Sequence, residues 1–328
     1  MDRRRFIGGV AICFSAAPLA AGAQLAGKIH RIGYLALGGA ETAPHQHAAF
    51  WRGLRERGWV EGQNVLVETR RADGNSDRLP ALAAELVRLN VELIVATSSA
   101  ATRAARDATK TIPIVMAASA NAVGEGLVNS LARPGGNITG MTLLAGPAIA
   151  GKQLELLKEA SPTAVRVAAL TNPTNRSHAA YTSELRVAAR SLGVQLLVLE
   201  TRSPDQFEGT FAAIVRERTA ALLVLTDAMF LSYHRRLADL AARSRLPALY
   251  SQREFVEAGG LASYGPNLVD MFHRAAAHVD KILRGARPGD LPVEQPVKFE
   301  LVINLKTAQA FGLAIPQSLL LRADEVLQ

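Results

Sequence analysis

Hydroxyl, acid and phenol side chains stand out in this sequence as candidates for binding a small molecule. The run Thr97-Ser98-Ser99 offers hydroxyls and free N–H groups at the start of a helix, which suits a carboxylate. Asp227 can hold an ammonium, and two tyrosines can supply aromatic surface. The set predicts a small carboxylate-bearing ligand, an amino acid or a relative with an apolar or aromatic side chain. The candidate ligand-binding residues are Gly38, Gly39, Thr97, Ser98, Ser99, Ser119, Asn121, Asn172, Asp227, Tyr250 and Tyr264.

The same side chains also have structural interpretations. Ser98 or Ser99 can be the N-cap of the following helix, and Asp227 can cap the helix that comes after it. Tyr250 and Tyr264 can pack at a hinge between lobes. No Arg or Lys directly follows a strand end in the first lobe, which argues against a multiply charged anion such as phosphate or citrate.

Motifs for catalysis and for cofactor binding are absent from the sequence. The segment 124–126 (Gly-Glu-Gly) lacks the third glycine of a dinucleotide fingerprint, and the segment 261–265 lacks the first glycine of a nucleophile elbow. His45 and His47 are two residues apart, so on a helix they point in different directions and cannot share a metal well. We therefore predict that the protein is not an enzyme and uses neither a metal nor another cofactor.

Continuous apolar runs that alternate with helical segments must position the candidate residues. Such runs are typical of parallel strands covered by helices on both faces. Ligands bind outside the carboxyl ends of the strands in sheets of this kind, so the candidates should converge on a cleft. A short helix is also predicted over 124–131. The predicted strands are 29–37, 65–67, 91–96, 112–117 and 138–142 in the first half, and 165–171, 194–199, 221–225, 247–250 and 261–263 in the second.

These elements predict an α/β fold with two doubly wound, Rossmann-like lobes joined by a hinge. The C-terminal tail is predicted to contain helices over 267–284 and 305–311 and a strand over 297–303. Neither lobe needs the whole tail, so we infer that it crosses back between the lobes. Glycines such as Gly146 and Gly265 let the crossovers absorb rotation. The predicted N-terminal lobe comprises 28–143 and about 266–296, the C-terminal lobe comprises 144–265 and about 297–328, and crossovers are expected near 143–147, 263–267 and 297–304.

Residues 1–23 are predicted to be a cleaved signal peptide. Three arginines at 3–5 precede an apolar run over 6–21, and small residues at 21–23 (Ala-Gly-Ala) resemble a cleavage site. The segment also resembles a twin-arginine signal, so the Sec and twin-arginine routes both stay open. Cleavage removes Cys13, the single cysteine of the chain, and the thiol-free product suits an oxidising compartment. We predict a periplasmic protein.

Composition and charge restrict the class of protein further. Of the 328 residues, 49% are apolar and 20% are charged, which excludes a disordered or fibrous chain. The formal charge is +8, but the arginines are scattered, which favours a solvated surface over a nucleic-acid groove. A repressor with this two-lobed core would need an N-terminal helix-turn-helix, where this chain has an export signal. We expect a monomer with a small-molecule ligand and no nucleic-acid partner.

Several long segments resemble one protein family, the ABC transporter substrate-binding proteins of the tryptophan/tyrosine type. The resemblance covers nearly the whole mature chain. It implies a type I periplasmic-binding-protein fold, with two lobes joined by three crossovers, and a solute that is captured in the cleft and handed to an ABC permease in the inner membrane. The segments are 124–140 (GEGLVNSLARPGGNITG), 245–265, 275–279, 281–283, 291–296 (LPVEQP), 299–308 (FELVINLKTA) and 322–326 (RADEV).

Two positions depart from the family pattern, and one alternative function shares the fold. Asn121 and Asn267 stand where the family often has Asp, so a negative charge is missing near the presumed cleft or hinge and the ligand class of the family need not transfer. A periplasmic sensor that reports ligand binding to a membrane signalling protein would have the same lobes. We predict an exported solute receptor for an ABC importer, with the sensor as the alternative that a neighbouring permease gene would exclude.

Overall fold

Two separate β-sheets, each interleaved with helices, make up the described part of the chain. The computed structural model describes residues 28–143 and 148–328. The predicted signal segment 1–23, with Cys13, and Gly146 of the first predicted crossover lie outside these residues. The two mostly parallel sheets confirm the prediction of two doubly wound α/β units.

The first sheet has five strands in the order β2-β1-β3-β4-β5, and every neighbouring pair is parallel. Strands β3 and β4 are buried along their whole length because helices cover both faces of the sheet. The strands are β1 (His30–Ala36), β2 (Val65–Arg71), β3 (Leu93–Ala96), β4 (Ile114–Ser119) and β5 (Ile138–Thr142). The helices between them are α1 (Pro44–Glu56), α2 (Leu79–Arg88) and α3 (Ser99–Ala108).

The second sheet has seven strands in the order β12-β11-β10-β9-β8-β6-β7, where about five and a further strand in the tail, at 297–303, were predicted. All of its strand pairs are parallel except β10 with β11. The tail contributes β11 and β12, and it enters the sheet at β11 from the opposite direction after crossing back. The strands are β6 (Arg166–Thr171), β7 (Gln195–Glu200), β8 (Ala221–Val224), β9 (Ala248–Tyr250), β10 (Ala262–Pro266), β11 (Phe299–Asn304) and β12 (Glu325–Leu327). The remaining helices are α4 (Ala148–Ala160), α5 (Ser177–Ser191), α6 (Phe207–Arg216), α7 (Ala228–Ser232), α8 (His234–Arg243), α9 (Arg253–Glu257), α10 (Leu268–Leu283), α11 (Leu305–Ala310) and α12 (Gln317–Leu320).

Helix α10 packs on the first sheet although it follows a strand of the second. Met271 and Phe272 of α10 share a buried core with Phe50 of α1 and Tyr34 of β1. The chain then returns, and β11 pairs with β10. The polypeptide therefore passes between the sheets after β5, after β10 and before β11. The precise limits of the two lobes given above stay a prediction.

The segment 124–131 forms turns instead of the predicted helix. Gly126 has a φ of 66°, in the left-handed region that interrupts a helix and that glycine adopts without strain. Oδ1 of Asn121 accepts a hydrogen bond from the Gly124 N–H at 2.8 Å, which stabilises the turn. The glycines and the asparagine thus override the apolar residues that suggested a helix. The resulting loop carries Glu125 towards α3.

The described residues contain neither a candidate membrane span nor a cluster of metal ligands. Within 28–143 and 148–328, no helix is both long and apolar enough to cross a membrane. In that part of the chain there is also no group of three or more His, Cys, Asp or Glu side chains placed to hold a metal ion.

Candidate functional site

A cavity of about 110 Å³ lies where the carboxyl ends of the two sheets face each other. Loops from both sheets line it, in the position where doubly wound sheets bind ligands. Five of the predicted ligand-binding residues are in this lining: Thr97, Ser98, Ser99, Asn172 and Asp227. Other polar lining residues are Gln46, Ser76, Arg103, Thr174, Asn175, Arg202, Thr226 and Gln252, and the apolar ones include Leu37, Leu143, Met229, Leu231, Leu268 and Phe272.

The start of helix α3 forms one wall of the cavity. Ser98 is the N-cap, because its Oγ accepts a hydrogen bond from the Ala101 N–H at 3.2 Å. The N–H groups of Ser99 and Ala100 precede the first intrahelical hydrogen bond and have no acceptor among the described residues. The cap therefore leaves two donors and the positive end of the helix dipole beside the cavity, an arrangement that favours an anionic group.

Asp227 forms part of the opposite wall and is 6% exposed. Its Oδ1 accepts hydrogen bonds from the N–H groups of Met229 and Phe230 at 2.9 and 3.3 Å, so Asp227 caps α7. Its Oδ2 accepts hydrogen bonds from the side-chain amides of Asn172, at 3.3 Å, and Asn175, at 2.9 Å. The structural interpretation is thus correct for one oxygen, while the other lies among side chains that line the cavity.

Two arginines that the sequence analysis did not select also line the cavity. Arg103 lies four residues after Ser99, so the two side chains share a face of α3. Arg202 lies two residues beyond the end of β7, and its side chain has no hydrogen-bond or ion-pair partner among the described residues. Neither arginine directly follows a strand. The signal for Arg103 is its position one helical turn after Ser99, at the start of α3.

Six of the predicted residues lie outside the cavity lining: Gly38, Gly39, Ser119, Asn121, Tyr250 and Tyr264. Ser119 is buried behind the wall, with its Oγ 3.1 Å from that of Ser99. Asn121 is committed to the turn described above. Gly38 makes a close turn, since a Cβ there would lie 2.7 Å from Thr42. A direct contact between any of these residues and a ligand stays a prediction.

The two tyrosines pack inside the second lobe. Tyr250 is fully buried and stacks on Phe255 with ring centroids 4.5 Å apart, and burial raises the pKa of its phenol. Tyr264 stacks on Phe299 at 6.2 Å. The aromatic side chain that lines the cavity is Phe272 of α10. The segment 266–296 was predicted to join the N-terminal lobe, but its sequence pattern does not show which side chain of the helix reaches the cavity.

The two positions that depart from the family pattern have defined partners. Asn267 is the N-cap of α10, with its Oδ1 accepting from the Asp270 N–H at 2.8 Å. Its Nδ2 donates to Oε2 of Glu300 at 3.0 Å, and an aspartate could not make this bond. Near Asn121, the backbone N–H of Asn121 donates to Oε1 of Glu125 at 3.4 Å. A buried negative charge is therefore present in this loop despite the asparagine.

Residues 44–327 match the model of the family described as ABC transporter substrate binding protein. The chain is also similar to the tyrosine-binding protein of Clostridioides difficile (strain R20291). The two are 26% identical over 264 residues, which is 80% of this chain and 75% of that protein.

Solved structures share the fold of this chain. A conserved domain protein from Vibrio cholerae O1 biovar eltor str. N16961 has a TM-score of 0.85 and 27% identity, covering 91% of this chain and all of that one. The ABC domain from Streptococcus pneumonia in complex with L-Trp has a TM-score of 0.84 and 27% identity, covering 92% of this chain and all of that one. A leucine-binding protein from Thermotoga maritima MSB8 has a TM-score of 0.51 and 17% identity, covering 79% of this chain and 77% of that one. Together these neighbours confirm the type I periplasmic-binding-protein fold. The chain belongs to the ABC transporter substrate binding protein family.

Proposed function

We propose that this protein captures an amino acid, or a closely related small carboxylate, in the cavity between the lobes and delivers it to an ABC importer. The observation that carries the proposal is the opposition of charge across the cavity. The start of α3 and Arg103 lie on one wall, and Asp227 lies on the other. A zwitterion places its carboxylate and its ammonium against these two walls at once when the cleft is closed.

The apolar part of the cavity lining indicates that the side chain of the amino-acid ligand is apolar or aromatic. Phe272, Leu37, Leu231 and Leu268 border the cavity and offer aromatic and aliphatic surface. The relative from Clostridioides difficile is named for tyrosine, and the neighbour from Streptococcus pneumonia was solved with L-Trp. An amino acid with an apolar or aromatic side chain therefore fits this lining best.

The proposal includes export to the periplasm and release of the ligand unchanged. Cleavage after Ala23 should leave Gln24 as the first residue, which N-terminal sequencing of periplasmic protein measures. An intact 1–23 segment on soluble cytoplasmic protein would contradict export. A ligand recovered from the protein with an altered mass would indicate catalysis and contradict the assignment as a receptor.

Calorimetric titration with the twenty amino acids and their deaminated analogues tests the ligand class. Asp227→Asn should weaken an amino-acid ligand by roughly ten- to a hundredfold, because a charge-assisted hydrogen bond to the ammonium is lost. Asparagine is also a good N-cap, so α7 should persist. Asp205→Asn, at an exposed position in the first turn of a short 3-10 helix, is the matched control.

Two results would overturn the assignment of Asp227 to the ammonium. One is equal affinity of Asp227→Asn and wild type for an amino acid. The other is that the protein binds only the ligands that lack an amino group. Either result would leave Asp227 as a helix cap.

A further inference from the structure

Glu125 lies outside the cavity lining and connects the cavity wall to the opposite lobe. Its side chain is 1% exposed. Its Oε2 accepts a hydrogen bond from Nη1 of Arg103 at 2.5 Å, and its Oε1 accepts from the Oγ atoms of Ser99 and Ser177 at 2.8 and 2.9 Å. Glu125 lies between β4 and β5 of the first sheet, whereas Ser177 is the first residue of α5 beside the second sheet. The bond to Ser177 therefore joins the two lobes.

The donors to this carboxylate differ in what happens when the lobes separate. A fourth donor, the Asn121 backbone N–H at 3.4 Å, belongs to the same loop as Glu125. Arg103 and Ser99 belong to α3, in the same lobe as Glu125, so their bonds persist in an open protein. Ser177 moves away with the other lobe, so its bond to Glu125 is the one of this set that opening breaks. The bond to Ser177 therefore stabilises the closed arrangement selectively.

We propose that Glu125 is a positioning residue for ligand binding and that its bond to Ser177 latches the lobes together. Glu125 holds the Arg103 guanidinium and the Ser99 hydroxyl in the cavity wall, and Ser177 couples that wall to closure. The inference rests on the proposed function in one respect, since it takes Arg103 and the start of α3 as the groups that bind the ligand.

A second contact between the lobes lets the latch be tested without unfolding the protein. Nε2 of Gln46 in α1 donates to Oε1 of Glu254 in α9 at 2.7 Å, and both residues are buried. This bond does not involve Glu125. A variant that loses the Ser177 hydroxyl can therefore still close, although less favourably.

The test variant is Ser177→Ala, which removes the latch hydroxyl but keeps the Ser177 amide that donates to Oδ1 of Asn175 at 3.1 Å. Ser191→Ala is the matched control on the same helix, where the hydroxyl has the Val187 carbonyl as its one hydrogen-bond partner among the described residues. Solution scattering of the unliganded proteins should give a larger radius of gyration for Ser177→Ala than for wild type and the control. Equal radii for Ser177→Ala and wild type would overturn the latch, whether or not a ligand is known.

Binding kinetics with L-tryptophan give the second measurement. We expect dissociation from Ser177→Ala to be on the order of tenfold faster than from wild type, with a nearly unchanged association rate, because the closed complex alone is destabilised. Equal dissociation rates would overturn the role of the latch in binding. If the scattering difference appears but neither L-tryptophan nor any other amino acid binds wild type, the latch stands and the proposed function fails.

A double-variant comparison tests whether Ser177 acts through the charge of Glu125. In a Glu125→Gln background the acceptor is neutral and its hydrogen bond is weaker. Ser177→Ala should then change the radius of gyration and the dissociation rate less than it does in wild type. The same change in both backgrounds would show a purely local effect of Ser177 and overturn the assignment of Glu125.

Discussion

At the scale of residues, several side chains that suggested ligand chemistry also complete the backbone around the cavity. Ser98 caps α3 and Asp227 caps α7, yet both line the cavity. The reason is geometric, since a helix that starts at the carboxyl end of a strand needs a cap at the place where ligands bind. A cap and a binding residue are therefore compatible assignments here.

His47 should make the stability of the protein depend on pH. Its Nδ1 lies 2.5 Å from the Tyr34 hydroxyl, and burial, with the charge of Arg71, lowers the pKa of His47 to about 4. An unfolded histidine has a pKa of about 6.5, so between these values the unfolded chain binds a proton that the folded chain does not. Stability is therefore lost as the pH falls from about 6.5 to about 4, by up to about 3 kcal/mol for this group.

Urea unfolding at pH 7 and pH 4.5 measures this contribution. His47→Gln should lose less unfolding free energy between the two pH values than wild type does. His45→Gln, at an exposed position of the same helix, should behave like wild type. An equal pH dependence in His47→Gln and wild type would contradict the assignment.

Tyr250 and Phe272 should respond in opposite ways to conservative substitutions. The Tyr250 hydroxyl is buried and has no hydrogen-bond partner among the described residues, so Tyr250→Phe should keep or raise stability by about 1 kcal/mol and leave ligand affinity unchanged. Phe272→Leu should weaken an aromatic ligand several-fold, because Phe272 lines the cavity. Calorimetry and urea unfolding measure both. Weaker ligand binding in Tyr250→Phe would show that Tyr250 contributes to ligand binding and would contradict this prediction.

At the scale of elements, the junction between β10 and α10 requires a side chain that both caps the helix and donates to Glu300, and Asn267 does both. Asn267→Asp would keep the cap of α10 but would place a carboxylate beside Glu300. Burial already raises the pKa of Glu300. We expect a loss of about 1–3 kcal/mol of unfolding free energy at pH 7 and a smaller loss at pH 4, where one carboxyl takes up a proton.

Asn304→Asp is the matched control for this junction. Asn304 caps α11, and its amide contacts the Val256 carbonyl at 3.4 Å instead of a carboxylate. Thermal or urea unfolding of both variants at the two pH values gives the comparison. If Asn267→Asp is as stable as wild type at pH 7, the repulsion from Glu300 is not a constraint on this position.

At the scale of the whole molecule, each sheet has its own cores, one core of the second sheet also contains Ala43 from beside the first, and three connections join the two units. Rigid lobes with short connections favour closure by rotation about the connections. A saturating amino-acid ligand should therefore lower the radius of gyration in solution scattering. Asp227→Asn at the same ligand concentration should show a smaller change. An unchanged wild-type curve at saturation would contradict closure of the cleft.

The alternation of strands and helices follows from the sequence, because a parallel strand buried on both faces must be a continuous apolar run. The sequence also located the start of α3 and Asp227, since strand ends and caps are local features. It placed a helix at 124–131 wrongly, where the glycines and Asn121 form turns.

Tertiary structure alone decided which side chains meet at the cavity. Phe272 reaches it because the tail helix α10 packs against α1 on the first sheet, and no local pattern encodes that contact. The bond between Glu125 and Ser177 joins residues 52 positions apart on different lobes. Tyr250 is removed from the cavity because it stacks on Phe255 inside the second lobe. Periodicity specifies the face of an element, whereas long-range packing selects the partner of that face.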